Sequence, residues 1–551
     1  MRARAWVAFG CALVAVIPAL ALAQNDDDGD VVEKIDLGPP RAAHAPDAGP
    51  ADGGDVTESI DLGSGAPTAR PRPTPSSAAP LEESVEARAW LRVGTELGLD
   101  RVGRYADAPD PFAVPHDRVV GRGQMHLRLR YARGKKYEVV ASGLLGYGVF
   151  EEDSKYLVPF IGVNGQHART EFEATLREAY VGFFWPIVDL RVGNQRIAWG
   201  KGDMFAPNDI INPRDLRDPV LGEAEVQRIP SFALRFDLDA GAIGLQAVAV
   251  PFFRPDRFDL YGSNWAALQL DAPAPYRGLM SLQTAITDPT LEGALQPIVG
   301  QTADLPEDDL SAASGGLRLR WNAGGFDGNV YLQYGLDSTP LTSVDPQFAQ
   351  ALAGIDFNMA TAASLKPVLD LIDTGIRPSR SEYVRRIHQG ADIETNLGER
   401  WVVRLDGAYD SQMVFTRRSD FTGIAVPSIQ VVGAAEYQTG EVGRTFLLEA
   451  WYQQLSSKVP PDGELLGVNK QNAAIGALWR WSWSDELIGL ELRAVVGVSP
   501  RSYLLVPRIT TKVGQDTVIG AGALVLDGAD NSQAHYYRHN RGAFAFVKYS
   551  Y

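Results

Sequence analysis

Cysteine is nearly missing from these 551 residues, with Cys11 the only one. It falls in an N-terminal run that reads as a cleaved signal, so disulfides, thiolate chemistry and cysteine metal sites are excluded together. Long apolar runs are missing too. Beyond residue 23 nothing approaches 18 consecutive apolar residues, which excludes helical membrane spans. An excess of positive charge is also lacking: 52 Lys and Arg stand against 68 Asp and Glu, net −16. With a pI of about 5.0 this argues against nucleic-acid binding. The mean hydropathy of −0.13 would suit a soluble protein. It equally suits a chain whose residues alternate between lipid and water.

What is present begins with a signal peptide over residues 1–23. Arg2 and Arg4 open it, an apolar run covers 6–20, and Ala21-Leu22-Ala23 is a small-residue cleavage site, so the chain is expected to be exported. Residues 24–84 differ in kind. They are rich in Pro, Ala, Gly and Asp and nearly free of aromatics, and are expected to form a disordered periplasmic tail. The motif E-x-I-D-L-G occurs twice in it, at Glu33 and Glu58. Nothing around Ile35, Leu37, Ile60 and Leu62 can bury them. One reading is that each copy adds a short strand to a periplasmic partner; the other is a duplication drifting in a linker.

From 85 to 551 the chain alternates apolar and polar residues in short stretches, the period of strands with one face of each kind. Residues 187–216 show the repeating unit. Val188, Leu190 and Val192 oppose Asp189, Arg191 and Gly193; Trp185-Pro186 closes one end tightly, and a long polar loop leaves the other from Gly200. Further tight turns are expected at 133–136, 239–241, Gly324-Gly325, Gly398, Gly440, Ser484-Asp485 and Gly514. Long connections alternate with them at 102–118, 151–170, 200–227, 251–312, 337–378, 417–428 and 456–470. The fold expected is an all-β transmembrane antiparallel barrel of about 18 strands, with 16 the other even count, long loops outside and tight turns in the periplasm. Within 337–378, Asp345 as cap, Pro346 at the first position and Phe348, Leu352, Ile355, Met359 and Ala363 at helical spacing predict one helix ending at Pro367.

The string G-x-Q-x-x-x-W-G-K-x-D from Gly193, with N-P-R-D-L from Asn212 and P-F-F-R-P from Pro251, resembles a porin-like family of Gram-negative outer-membrane proteins and, more weakly, alginate-export-type barrels. The resemblance is clearest over 171–255. It implies a barrel in the outer membrane, not a substrate. The alternating aromatic end at Tyr549 and Tyr551 resembles the signature that outer-membrane insertion machinery reads, although the family usually ends in Phe.

Catalytic patterns do not survive inspection. Gly63-Ser64-Gly65 lies in the tail without the strand and helix of a nucleophile elbow. Gly193 to Lys201 has the wrong spacing for a phosphate loop, and His535 with His539 lacks further ligands for a metal. No enzyme activity and no cofactor are expected. Charge on the polar strand face is the stronger signal: Arg88, Arg92, Arg128, Arg130, Arg191, Arg404, Glu449 and Arg493 all oppose the apolar stripe. An arginine facing lipid at mid-membrane would cost about 2–4 kcal/mol, so these face the lumen. The loop from Gly200 is expected to fold inward and narrow the lumen, with Lys201, Asp203, Asp209, Arg214, Asp215 and Arg217 presenting both signs of charge as a pore constriction. The function expected is a porin or facilitated channel for small polar or charged solutes. The alternative is a scaffold or adhesion barrel that binds a periplasmic partner through its tail.

Overall fold

A strand that is apolar on one face and charged on the other needs lipid against the first and water against the second. In lipid it must also pair both edges, because an unpaired backbone amide there costs several kcal/mol. The computed structural model meets both demands. It describes residues 83–99, 119–134, 136–150, 171–220, 222, 224–257, 265, 306, 310–355, 362–376, 379–419, 422–441, 443–483 and 487–551. The signal, the tail to residue 82 with its repeated motif, the connections read at 102–118 and 151–170 and the turn read at Ser484-Asp485 lie outside the described residues, while Glu83 and Ser84, read as tail, already belong to the first strand.

The strands are β1 (Glu83–Gly98), β2 (Val119–Arg133), β3 (Tyr137–Phe150), β4 (Glu171–Phe184), β5 (Val188–Gln195), β6 (Ser231–Asp239), β7 (Ile243–Val250), β8 (Ser314–Ala323) and β9 (Phe326–Leu336). A small separate hairpin follows, β10 (Leu341–Val344) and β11 (Ser379–Glu382). Then come β12 (Arg385–Leu397), β13 (Trp401–Thr416), β14 (Gly423–Gln438), β15 (Thr445–Leu455), β16 (Gln471–Trp483), β17 (Ile488–Ser499), β18 (Arg501–Val513), β19 (Thr517–Gly528) and β20 (Gly542–Ser550). All but β10 and β11 join one antiparallel sheet of 18 strands in chain order. It closes on itself where β1 pairs β20, from Trp90 opposite Ser550 to Gly98 opposite Gly542. The count is therefore the higher of the two expected.

The outward face is apolar. Leu127 and Leu129 on β2, Leu317 and Leu319 on β8, Leu405 on β13 and Ile509 on β18 are all exposed. Aromatics edge this belt at both ends: Phe326 and Tyr334 on β9, and Trp401 and Tyr409 on β13, are outward pairs eight residues apart. At about 3.3 Å per residue and a tilt of about 40° they stand about 20 Å apart, close to the band a bilayer core requires. Short turns gather at one end; Gly324 and Gly325, at φ 64° and 83°, supply the left-handed pair that a two-residue hairpin needs. Pro507 has no N–H to give, and the β18–β19 register skips it, running from Leu505 opposite Val525 to Arg508 opposite Gly522.

Two expectations about connections need correction. The predicted single helix is two, Pro346–Ala353 and Ala362–Asp373, with Pro367 inside the second instead of ending it. Asp345 does cap the first, accepting from the N–H of Gln347 at 2.9 Å. Gly354 then ends that helix: its N–H returns to the carbonyls of Gln350 and Ala351, a helical turn that goes no further. The connection read as 417–428 is shorter, because β14 already begins at Gly423; Ile424 and Val426 pack with Phe415 and Leu455 in a small apolar cluster.

Candidate functional site

The site is built from the chain between β5 and β6. At its base Gly193, with φ 134°, lets β5 lie so close to β4 that an added Cβ would stand 2.2 Å from the Ala179 carbonyl oxygen. Gln195 turns its amide to the carbonyl of Ala233 at 2.8 Å. Asn212 ties the two limbs of the loop together: its side-chain oxygen accepts from the N–H of Ile197, and its amide donates to the carbonyls of Gln195 and Ile229, both at 3.0 Å. The two limbs of the loop are thus tied together where they leave the wall.

It then crosses the lumen. Trp199 is buried, donates its indole N–H to Gln246 on β7 at 2.7 Å, and packs on Tyr331 of β9 with ring centroids 5.2 Å apart. Gly316 on β8 makes room for it, since a Cβ there would meet the indole at 2.5 Å. The Tyr331 hydroxyl accepts from the N–H of Gly200 and donates to Asp392 on β12. Next, the N–H groups of Lys201 and Gly202 donate to one oxygen of Asp406 on β13, at 3.1 and 2.9 Å. Those of Asp203, Met204 and Phe205 donate to both oxygens of Glu449 on β15, at 2.7, 2.9 and 2.9 Å. Five successive backbone donors are thereby held by two carboxylates. From β5 to β15 is eight steps around the ring of 18, where nine would be the far side.

Apolar and polar contacts finish the mooring. Phe205 stacks on Trp451 of β15 at 5.8 Å, and Met204 lies over Gly476 of β16, where a Cβ would meet its sulfur at 2.8 Å. Asn208 faces His388 Nε2 at 3.1 Å, and His388 Nδ1 faces Asp410 at 3.0 Å. Gly390 keeps that place open, for a Cβ would sit 1.8 Å from the Asn208 side-chain oxygen.

The six loop charges read from sequence fall into two groups and do not form one ring. Lys201 and Asp203 stand at the far wall: Lys201 Nζ lies 3.4 Å from Asp327, and Asp203 accepts from Arg404 at 2.7 Å. The other four lie on the returning limb. Arg214 and Arg228 both donate to Asp209, at 2.8 and 2.9 Å. Arg217 grips Asp215 at 2.6 Å and Glu173 of β4 at 2.8 Å. The strand charges also pair. Arg404 joins Glu394 and Glu436 at 2.7 and 2.6 Å, Arg128 faces Glu178 at 3.5 Å, and Glu138 serves both Arg130 and Arg191, at 3.0 and 3.4 Å. Arg493 meets Glu491 at 2.6 Å. Arg92 lies over the Phe546 ring at 4.4 Å, and Arg88 sits opposite Arg128 in the β1–β2 register. His535 pairs with Asp527 at 3.2 Å; among the described residues no three metal-ligating side chains converge.

Burial alone would raise the Asp215 carboxyl, but Arg217, and Arg257 after it, outweigh that and hold it below the ordinary aspartate value of 3.8. A depressed carboxyl stabilises the folded state above its unfolded pKa, and that stability is lost as pH falls through the folded one. Asp215→Asn is therefore expected to cost about 2–3 kcal/mol at neutral pH. The difference from wild type should shrink only below 3.8. Denaturant melts of both proteins from neutral to acid pH would show it; a gap that closes near neutrality would exclude this account. Asp256 behaves oppositely: burial raises it although the N–H of Arg214 donates to it at 2.7 Å, so acidification does not penalise its docked state.

Sequence reasoning pointed at the charged side chains, Asp406 among those facing the interior, and assigned no anchoring role to Trp199, Met204, Phe205, Asn208, Asn212 or Asp406. Asn212 was the available signal, because asparagine in a loop commonly bonds nearby backbone.

Compared with known proteins, residues 130–483 match a family model described as "Protein of unknown function (DUF1302)". No curated protein matches the sequence. Among solved structures, the chain is similar to Acinetobacter baumannii OccAB1 at 9% identity, covering 85% of this chain and 96% of that one with a TM-score of 0.45. It is similar to Pseudomonas aeruginosa OccK9 (OpdG) at 9% identity, covering 85% and 98%, TM-score 0.42. It is also similar to the outer membrane channel DcaP of Acinetobacter baumannii at 9% identity, covering 85% and 97%, TM-score 0.35.

Proposed function

The chain belongs to the DUF1302 family, and from the geometry of its own lumen we propose that it is an outer-membrane channel for small polar or charged solutes. One observation carries the reading: the loop at 196–230 is drawn across the barrel and held on the far wall by five backbone donors, in an interior lined with acidic and basic side chains. A barrel serving only as a scaffold has no need of a loop that divides its interior. A channel does, because a narrowed, charged passage discriminates among solutes by size and sign. Lys201 and Asp203 at the loop tip, with Arg404 behind them, are the charges proposed to border that passage. Asp209, Arg214, Asp215 and Arg217 are proposed to shape the loop through their mutual pairs. No catalytic role is proposed for any of them.

Planar-bilayer recording of the purified barrel is expected to show discrete ion-conducting steps. A protein that runs as a heat-modifiable, folded barrel yet stays electrically silent would overturn the reading and favour the scaffold, with the repeated tail motif as its next object of study.

A further inference from the structure

One inward-facing charge stands among acceptors that are already engaged. Arg318 of β8 belongs to a row that crosses four strands: Asp237 of β6 is opposite Gln246 of β7, Gln246 is opposite Arg318, and Arg318 is opposite Tyr331 of β9. Its neighbours Leu317 and Leu319 are exposed on the outward face, so the guanidinium faces the lumen. Gln246 accepts from the Trp199 indole at 2.7 Å, Asp237 accepts from Arg235 at 2.7 Å and from Gln246 at 2.6 Å, and the Tyr331 hydroxyl accepts from Gly200 and donates to Asp392. Arg318 is left out of this network. Its Nε is buried without a hydrogen-bond partner, and among the described residues its guanidinium makes no hydrogen bond and no ion pair. The side chain is only half-buried, and Nε alone of its three nitrogens is closed off, so both Nη nitrogens are reachable from the lumen.

An arginine cannot shed its charge, and drawing it out of water without a partner costs free energy. Among the described residues no contact offsets that cost. Its place gives the residue a use: Gly316, two residues earlier on the same face, lies against Trp199, and β8 runs from there to the tight turn at Gly324-Gly325. Arg318 is therefore one step inside the seat of the loop, on its periplasmic side. We propose that Arg318 is a solute-binding residue, whose two Nη nitrogens take one oxyanion group of the solute, a carboxylate or a phosphate, as it clears the loop. The planar donors match such a group in pairs, and in a partly desolvated wall those bonds are stronger than in water.

The proposal rests on the channel reading, and its test keeps the two apart. Titration calorimetry on the detergent-folded full chain reads the site without any current. Succinate and inorganic phosphate are the probes; at least one is expected to bind wild type, and R318Q to weaken that binding about tenfold or more. R318K, which keeps the charge and loses the planar fork, should fall between. R320Q is the control for bulk charge, because Arg320 lies two residues further on the same face and already meets Asp239 at 3.5 Å. It is expected to bind as wild type does to within about twofold. R318Q strands no partner, so its heat-modifiable band should be as strong as that of wild type. In planar bilayers the same probe should interrupt the KCl current of wild type and not that of R318Q. A wild type that binds neither probe, or R318Q and R320Q that weaken binding alike, overturns the site and leaves the channel standing; a folded barrel that binds through Arg318 yet conducts nothing upholds the site and removes the channel.

Discussion

Glu449→Ala is expected to release the loop at 196–230 from the far wall and to turn a steady conductance into a larger, noisier one. Both oxygens of Glu449 are engaged, by the N–H groups of Asp203, Met204 and Phe205. The side chain is fully buried. Removing it leaves three donors without an acceptor, each at about 1–3 kcal/mol, so the docked state loses about 3–9 kcal/mol before water compensates part of it. Glu449→Gln should be intermediate, since one oxygen still accepts while the new amide points donors at donors. The stack of Phe205 on Trp451 survives either change, so the loop should fluctuate on and off the wall and not be lost from it. Single-channel recording decides the matter: an unchanged step size and noise in Glu449→Ala would show that the amide latch does not hold the loop.

Gly193→Ala is expected to act earlier, on assembly. This glycine combines a φ of 134° with a carbonyl that a Cβ would approach to 2.2 Å and a backbone Cα, that of Tyr180, at 2.7 Å. Both obstacles are backbone, which cannot swing aside as a side chain can. The conformation costs an L-residue about 1–3 kcal/mol and the overlap about as much again. Only six residue pairs join β4 to β5, from Ala179 opposite Asn194 to Phe184 opposite Asp189, and Gly193 opposite Tyr180 is one of them. The variant should therefore lose most of its heat-modifiable band when inserted at growth temperature. Gly241→Ala is the control, because that glycine sits in a turn with nothing within 4 Å of an added Cβ, although its φ of 84° also favours glycine. If Gly193→Ala assembles as well as this control, the close approach of β4 and β5 is not what the glycine serves.

The resembling string becomes intelligible residue by residue in this light. Gly193 permits the close approach, Gln195 caps the end of β5, Trp199 seats the loop on β7 and β9, and Gly200, at φ 89°, turns it toward β13. In the second string Asn212 binds the limbs together. In the third, Arg254 donates to the carbonyl of Pro230 at 2.8 Å, fastening the far end of the same loop. Three strings that look separate along the chain are parts of one mooring.

The sequence by itself determined the barrel and where its strands turn. A period of two follows from lipid on one side and water on the other, a local condition that every strand meets independently, so Leu127 against Arg128 or Leu405 against Arg404 is legible from neighbours alone. That a long polar loop follows β5 was also legible, from the Gly, Pro, Asn and Asp that replace the alternation after Gly200. What only the tertiary structure decided is where the loop lands. The carboxylates that hold its successive amides lie more than 200 residues downstream, 204 for Gly202 with Asp406 and 246 for Asp203 with Glu449. Half of each anchor is a backbone N–H, which every residue but proline carries and which therefore leaves no mark in the sequence. Which carboxylates those amides meet depends on the closed ring that brings β13 and β15 across from β5, and closure is a property of all eighteen strands together.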